Sequence, residues 1–280
     1  MNPLSRLRRK ISDVRRYPAL AWKQRDRREL WLLGLTRHRV LSAGLTARFT
    51  PGSRRFVTPR LTLTRGQPVR VEFDRFDQID SFEEIFVQQI YDLRAVDFEP
   101  DLVADCGGFC GYFSTMAAGA FPQARLVCFE ANPNNIPLLQ AQLDLLEPKV
   151  ELHATAVHVH DGTVAFSGDS IGGSISGQEM AGDTRSVPCC DFPRWLKTCA
   201  PRRFVWKLDV EGAEARLLPA TLAFLPPDTV CYLETHYAND KCEALFGPYR
   251  AAGFSIHEIR RRPAAAGNFD YIEWLLKRRA

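Results

Sequence analysis

Leu102-Val103-Ala104-Asp105-Cys106-Gly107-Gly108-Phe109-Cys110-Gly111-Tyr112-Phe113-Ser114 is the stretch on which the fold turns. An apolar run ends in a carboxylate, turns through glycines and continues as a helical pattern from about Gly111 to Ala120. This is a β-strand feeding a helix through a tight loop, where glycine permits the turn and lets a ligand approach the backbone. Working outward, strand-like and helical runs alternate. Strands are expected over 124–130, 150–159, 204–210 and 229–234, with helices over 135–146, 191–199, 213–225 and 240–252. Two closing strands, 255–260 and 269–276, have no helix between them. Upstream, a helix is expected over 81–96, with Ser81 and Glu84 as a capping box and Ile85, Ile90 and Leu93 as its apolar face. Before it, residues 61–75 read as a β-hairpin turning at Gly66 to Pro68. The predicted fold class is α/β, a Rossmann-like, doubly wound, mostly parallel sheet with one antiparallel edge strand. Such sheets bind ligands at the carboxyl ends of their strands.

Across 280 residues, a hydrophobic share of 45% and a charged share of 25% exclude the disordered, collagen-like and coiled-coil classes. The net charge of +4 conceals a division. Residues 1–60 hold 16 Lys and Arg against 3 Asp and Glu, whereas the remainder holds 21 against 30. A basic arm of this kind is attracted to phosphate or anionic lipid. The apolar run Leu30 to Leu35 is far shorter than the ~18–20 residues of a membrane span, so a cytoplasmic protein is expected, peripheral to a membrane at most. The eight cysteines form no C-x-x-C pair and are expected to be reduced, mostly buried thiols rather than zinc ligands.

The loop chemistry narrows the ligand. Asp105 places a carboxylate where a dinucleotide would need its pyrophosphate, so a cationic or zwitterionic ligand fits better. Glu130 follows 25 positions later at the end of the next strand, where a carboxylate accepts hydrogen bonds from ribose hydroxyls. S-adenosylmethionine has a ribose, an ammonium and a sulfonium and no phosphate. Asp105, Gly107 and Gly108 are therefore expected to hold its methionine portion, Glu130 its ribose, and Asn132 the ribose or adenine edge. Ala156 and Val157, on the third strand, are expected to flank the adenine.

A second acidic cluster follows in Lys207-Leu208-Asp209-Val210-Glu211-Gly212-Ala213-Glu214, and Leu233-Glu234-Thr235-His236 ends the neighbouring strand. Carboxylates gathered on one rim raise each other's pKa unless cations or hydrogen bonds compensate. Lys207, the sulfonium or a divalent metal would serve. His236 is the better chemical match for a general base and Asp209 or Glu211 the better positional one, and the two kinds of group are expected to act together. Asp209, Glu234 and His236 are the set that would hold Mg²⁺, but their spacing is not a metal signature and no metal is expected. The purely structural alternative makes Glu214 a helix cap and Glu234 the partner of an arginine.

These motifs resemble those of the FkbM family of S-adenosylmethionine-dependent methyltransferases. The resemblance rests on Asp105-Cys106-Gly107-Gly108-Phe109-Cys110-Gly111, Phe129-Glu130-Ala131-Asn132-Pro133, the distinctive Lys207 to Glu214 string, and Leu233-Glu234-Thr235-His236. It covers roughly 81–280 and leaves the first 60 residues outside. Cys106 and Cys110 stand where the family often has other small residues. The resemblance implies a seven-stranded class I methyltransferase fold and O-methylation of a hydroxyl on a sugar, polyketide or related small-molecule or glycan acceptor.

The division expected is a basic extension over 1–60, a hairpin and lead-in helix over 61–100, and the methyltransferase domain over 101–280. His158 and His160 alternate on a strand and read as a solvated face or substrate rim. The Gly- and Ser-rich stretch 168–182 is long enough for a substrate lid or a plain surface loop. The arm leaves two other functions open: an RNA methyltransferase that grips nucleic acid through it, and a glycolipid modifier at an anionic lipid surface. A non-catalytic S-adenosylmethionine-binding protein is a further alternative, although such a protein would not need the acidic cluster.

Overall fold

A computed structural model describes residues 3–20, 26–37, 55–57, 70–73, 76–167, 184–235, 239–263 and 270–279. The chain opens with helices α1 (Pro3–Ala19) and α2 (Arg27–Arg37), the short strands β1 (Arg55–Val57) and β2 (Val71–Phe73), and helix α3 (Phe76–Phe82). Then come β3 (Leu102–Cys106), α4 (Tyr112–Ala120), β4 (Arg125–Phe129), α5 (Ile136–Leu143), β5 (Val150–His153), β6 (Ala156–His158), β7 (Gly162–Ser167) and β8 (Thr184–Asp191). The last part runs α6 (Phe192–Cys199), β9 (Arg203–Leu208), α7 (Glu214–Thr221), β10 (Asp228–Thr235), α8 (Asn239–Ala251), β11 (Ser255–Pro263) and β12 (Asp270–Arg278).

Seven strands form the main sheet in the order β11-β12-β10-β9-β3-β4-β5. The five from β10 to β5 are parallel neighbours, and β12 alone runs against the rest, at one end of the sheet between β10 and β11. This is the mostly parallel, Rossmann-like α/β arrangement expected from the sequence. Each central strand serves two cores by its two-residue period. Val103, Val205, Val230 and Tyr232 face the side covered by α3, α4 and α5, while Ala104, Trp206 and Leu233 face the side covered by α6, α7 and α8. The chain winds outward from β3 to β5 and then returns to lay β9 on the other side of β3. At such a switch point the loops leaving the two strands diverge and open a cleft.

Three expectations are corrected by the structure. The strand expected over 150–159 is broken: β5 stays in the main sheet, and β6 leaves it to pair with β8 in a three-stranded sheet β6-β8-β7. The turn between them is closed by the Thr155 N–H on the His153 carbonyl at 2.9 Å. His158 is consequently buried, with its ring 4.3 Å from that of His160, rather than on a solvated face. The helix expected over 81–96 begins earlier, as α3, and widens into a π-helical turn over Glu83–Gln88 before a 3₁₀ turn at Leu93–Ala95. Ser81 therefore lies inside a helix and caps nothing. Ile85, Phe86 and Val87 are all buried, so this segment is embedded on more than one side instead of presenting a single apolar stripe. The described end of the expected hairpin, Val71–Phe73, pairs antiparallel with Arg55–Val57; the turn at 66–68 and the lid stretch 168–182 lie outside the described residues.

Candidate active site

Asp105 and Lys207 are direct partners across the β3–β9 ladder, and Cys128 is the partner of Asp105 on the other side. The three side chains thus share one sheet face at the switch point. Both charged groups are almost fully buried, and the Lys207 ammonium lies 3.4 Å from Asp105 Oδ1 and 3.5 Å from Asp209 Oδ2. It also donates to the Gly107 carbonyl at 2.6 Å. Burial opposes the charge on Lys207, but the two carboxylates outweigh it and hold its pKa above the ordinary lysine value. The other Asp105 oxygen accepts from the Ser114 hydroxyl at 2.7 Å and its N–H at 3.2 Å, in the first turn of α4. Asp105 therefore acts from beneath the loop: it fixes the ammonium and the helix and is absent from the cavity wall.

The loop itself is shaped by contact with its neighbours. The Gly107 and Gly108 N–H groups both donate to the Phe129 carbonyl at 2.9 Å, stitching the loop to the end of β4. Gly107 has φ +87°, and a Cβ there would overlap the Asp209 carbonyl oxygen. Gly107→Ala is expected to destabilise the fold by well over the roughly 1–2 kcal/mol that a left-handed backbone alone costs an L-residue. Urea denaturation of the variant measures it.

Glu130 closes the other side. One carboxylate oxygen accepts from the Phe109 N–H at 2.7 Å; the other accepts from the Asn132 N–H at 2.8 Å and the Asn135 side chain at 3.3 Å. Burial raises its pKa above 4.5 against the pull of these donors. A cavity of about 310 Å³ opens between this carboxylate and the switch point. Gly107, Gly108, Glu130, Asn132, Ala156 and Val157 all line it, as do Lys207, Asp209, Glu211 and Glu234 from the second cluster. Glu214 does not: it is fully buried and accepts from the Val210 and Gly212 N–H groups, capping the turn before α7. Glu211, in the same turn, has φ +55°, a backbone state costly for a residue with a side chain.

Sequence reasoning missed one wall. Glu84, from the π-helical turn, lines the cavity with Tyr91, Arg262 and Tyr271. Arg262 lies 2.9 Å from Glu84, 3.0 Å from Glu273 and 3.3 Å from Glu234, so Glu234 is paired with an arginine. Arg260 adds further bonds to Glu84, Glu273 and Gln88, tying β11 to the π-helical turn. No spacing signal links Glu84 to Arg262, since they meet only when β11 folds back along the sheet end. A helix that changes to π-pitch frequently marks a functional site, but its pitch is not readable from residue types. His236 lies outside the described residues. Among the described residues no group of three His, Cys, Asp or Glu is arranged to hold a metal ion.

Three solved methyltransferase structures are similar to the chain at low identity. The methyltransferase FkbM of Methylobacillus flagellatus is 13% identical, with a TM-score of 0.43 over 95% of this chain; the chain spans 59% of that longer protein. Precorrin-6y C5,15-methyltransferase of Geobacter metallireducens is 13% identical over 67% of this chain and 85% of its own, with a TM-score of 0.41. The ribosomal protein L11 methylase of Lactobacillus delbrueckii subsp. bulgaricus is 13% identical over 69% and 79%, with a TM-score of 0.38. No protein-family profile and no curated protein sequence matches the chain.

Proposed function

We propose that the chain is an S-adenosylmethionine-dependent methyltransferase acting on a hydroxyl oxygen of a sugar, polyketide or other small or glycan acceptor. The observation that carries this reading is the chemistry of the cavity lining. Glu130 presents a buried carboxylate suited to a ribose diol, with Phe129, Ala156, Val157 and Phe166 as apolar walls for a base. The one ammonium at the glycine loop is committed to Asp105, Asp209 and the Gly107 carbonyl, so a pyrophosphate would meet carboxylates there without a cation of its own. A sulfonium and an ammonium suit that setting. Bound there, the donor supplies an electrophilic methyl group.

The residues of this chain have two tasks, alignment and proton removal. Gly107, Gly108 and Glu130 orient the donor, and the Glu84–Arg262 wall bounds the opposite side of the cavity. Asp209 is held by Lys207, so the acceptor proton is assigned to Glu211 together with His236. The strained backbone at Glu211 supports a functional role for that position. Lys207, kept protonated, positions Asp105 and Asp209.

Incubating the protein with methyl-labelled S-adenosylmethionine and a panel of sugars, polyketides and RNA tests the reading. Label on a sugar or polyketide hydroxyl is expected; label on RNA alone, or none despite donor binding, overturns it. The raised pKa of Glu130 adds a pH dependence. The folded protein keeps this proton further up the pH scale than the usual value of 4.5, so acidification neutralises the ribose acceptor early. Donor affinity measured by calorimetry should fall as the pH is lowered, and the fall should already be under way above pH 4.5. Constant affinity down to that point would argue against Glu130 as a ribose ligand.

A further inference from the structure

The basic N-terminal helices take no part in the cavity, yet they are fastened to the domain. Val14 and Tyr17 of α1 and Leu30 and Leu33 of α2 are buried. Tyr17 stacks on Phe82 with ring centroids 6.2 Å apart, and Arg16 donates to the Val87 carbonyl at 2.6 Å in the π-helical turn. The opposite faces look outward. On α1, Lys10, Ile11 and Arg15 are exposed, with Ile11 and Arg15 four residues apart on one side. On α2, Arg27, Arg28 and Trp31 are exposed, with Arg28 and Trp31 three apart. Of the three exposed large apolar side chains among the described residues, two are Ile11 and Trp31, at 39% and 38% exposure.

We propose that the exposed basic and apolar side chains of α1 and α2 bind the anionic surface of a phospholipid bilayer. Both helices lie within the segment that holds 16 basic residues against 3 acidic ones, on a chain whose remainder is net negative. Cations matched to acidic headgroups, together with an indole and an isoleucine at helix-surface spacing, suit the water–lipid interface, where Trp settles at headgroup depth. A nucleic-acid backbone would use the arginines and leave Ile11 without a partner, which favours lipid over RNA. Among the described residues no helix is long and apolar enough to cross a membrane.

Cosedimentation of the full chain with phosphatidylcholine vesicles, with and without phosphatidylglycerol, tests the proposal. Binding is expected only to the phosphatidylglycerol vesicles and should weaken as salt rises. The double variant Arg15→Ser/Arg28→Ser should bind about thirtyfold more weakly, because each basic group near an anionic leaflet contributes separately; unchanged binding would overturn the proposal. Trp31→Ser should bind several-fold more weakly at every salt concentration, with thermal unfolding of both variants close to that of the parent. No binding, equal binding to both vesicle types, or displacement from vesicles by an equal mass of RNA would overturn the proposal.

Discussion

Replacing Lys207 by methionine is expected to cost about 3–5 kcal/mol of folding stability, the usual penalty for removing one partner of a buried ion pair. Methionine fills much of the same volume, so the loss is electrostatic. Asp105 is left almost fully buried with Oδ1 deprived of its cation, and the Gly107 carbonyl loses its donor. For a chain of this size that is a fall of roughly 10 °C in Tm. The charge logic has its own check in a double variant. Lys207→Met combined with Asp105→Asn removes both members of the pair, and should be more stable than the sum of the single losses predicts. Additive losses would mean that Lys207 stabilises by packing alone.

Glu130→Ala is expected to weaken S-adenosylmethionine binding by about a hundredfold or more. Hydrogen bonds to a charged group contribute about 1.5–3 kcal/mol each, and a ribose diol offers two. The same change releases the Phe109 and Asn132 N–H groups, so the loop loses its clasp along with the ligand. Glu130→Gln separates the two roles. Its carbonyl oxygen retains one acceptor, so the loop should stay in place while donor affinity falls by an intermediate amount. Calorimetry with the donor, alongside thermal unfolding, distinguishes lost contacts from a collapsed loop. Unchanged affinity in Glu130→Ala would remove the ribose from this corner of the cavity.

The features that were legible in the sequence are those controlled by local chemistry. Gly107 and Gly108 announce the loop, the alternating apolar runs announce the parallel strands, and Glu130 is marked by its place at a strand end. Glu214 and Glu234 follow the structural alternative in which one caps a turn and the other meets an arginine. Asp105 was harder, because a residue at a strand end can face the ligand or the core. Only the ladder register shows that it is matched with Lys207 beneath the loop. The break between β5 and β6 was invisible for a related reason: an apolar run of 150–159 satisfies one strand or two, and the partner sheet is distant in sequence. Residues at 154 and 155 carry no Gly or Pro to mark the turn. The Glu84–Arg262 wall depends on contacts 178 residues apart, beyond the reach of any spacing rule.

The cavity at the β3–β9 switch point is proposed to accept S-adenosylmethionine rather than a dinucleotide. Calorimetric titration of the full chain with S-adenosylmethionine and, separately, with NAD tests it most directly. Saturable binding of S-adenosylmethionine that is lost in Glu130→Ala, with no binding of NAD, is the result predicted. Absence of heat with S-adenosylmethionine, or tighter binding of NAD to the same site, would contradict it.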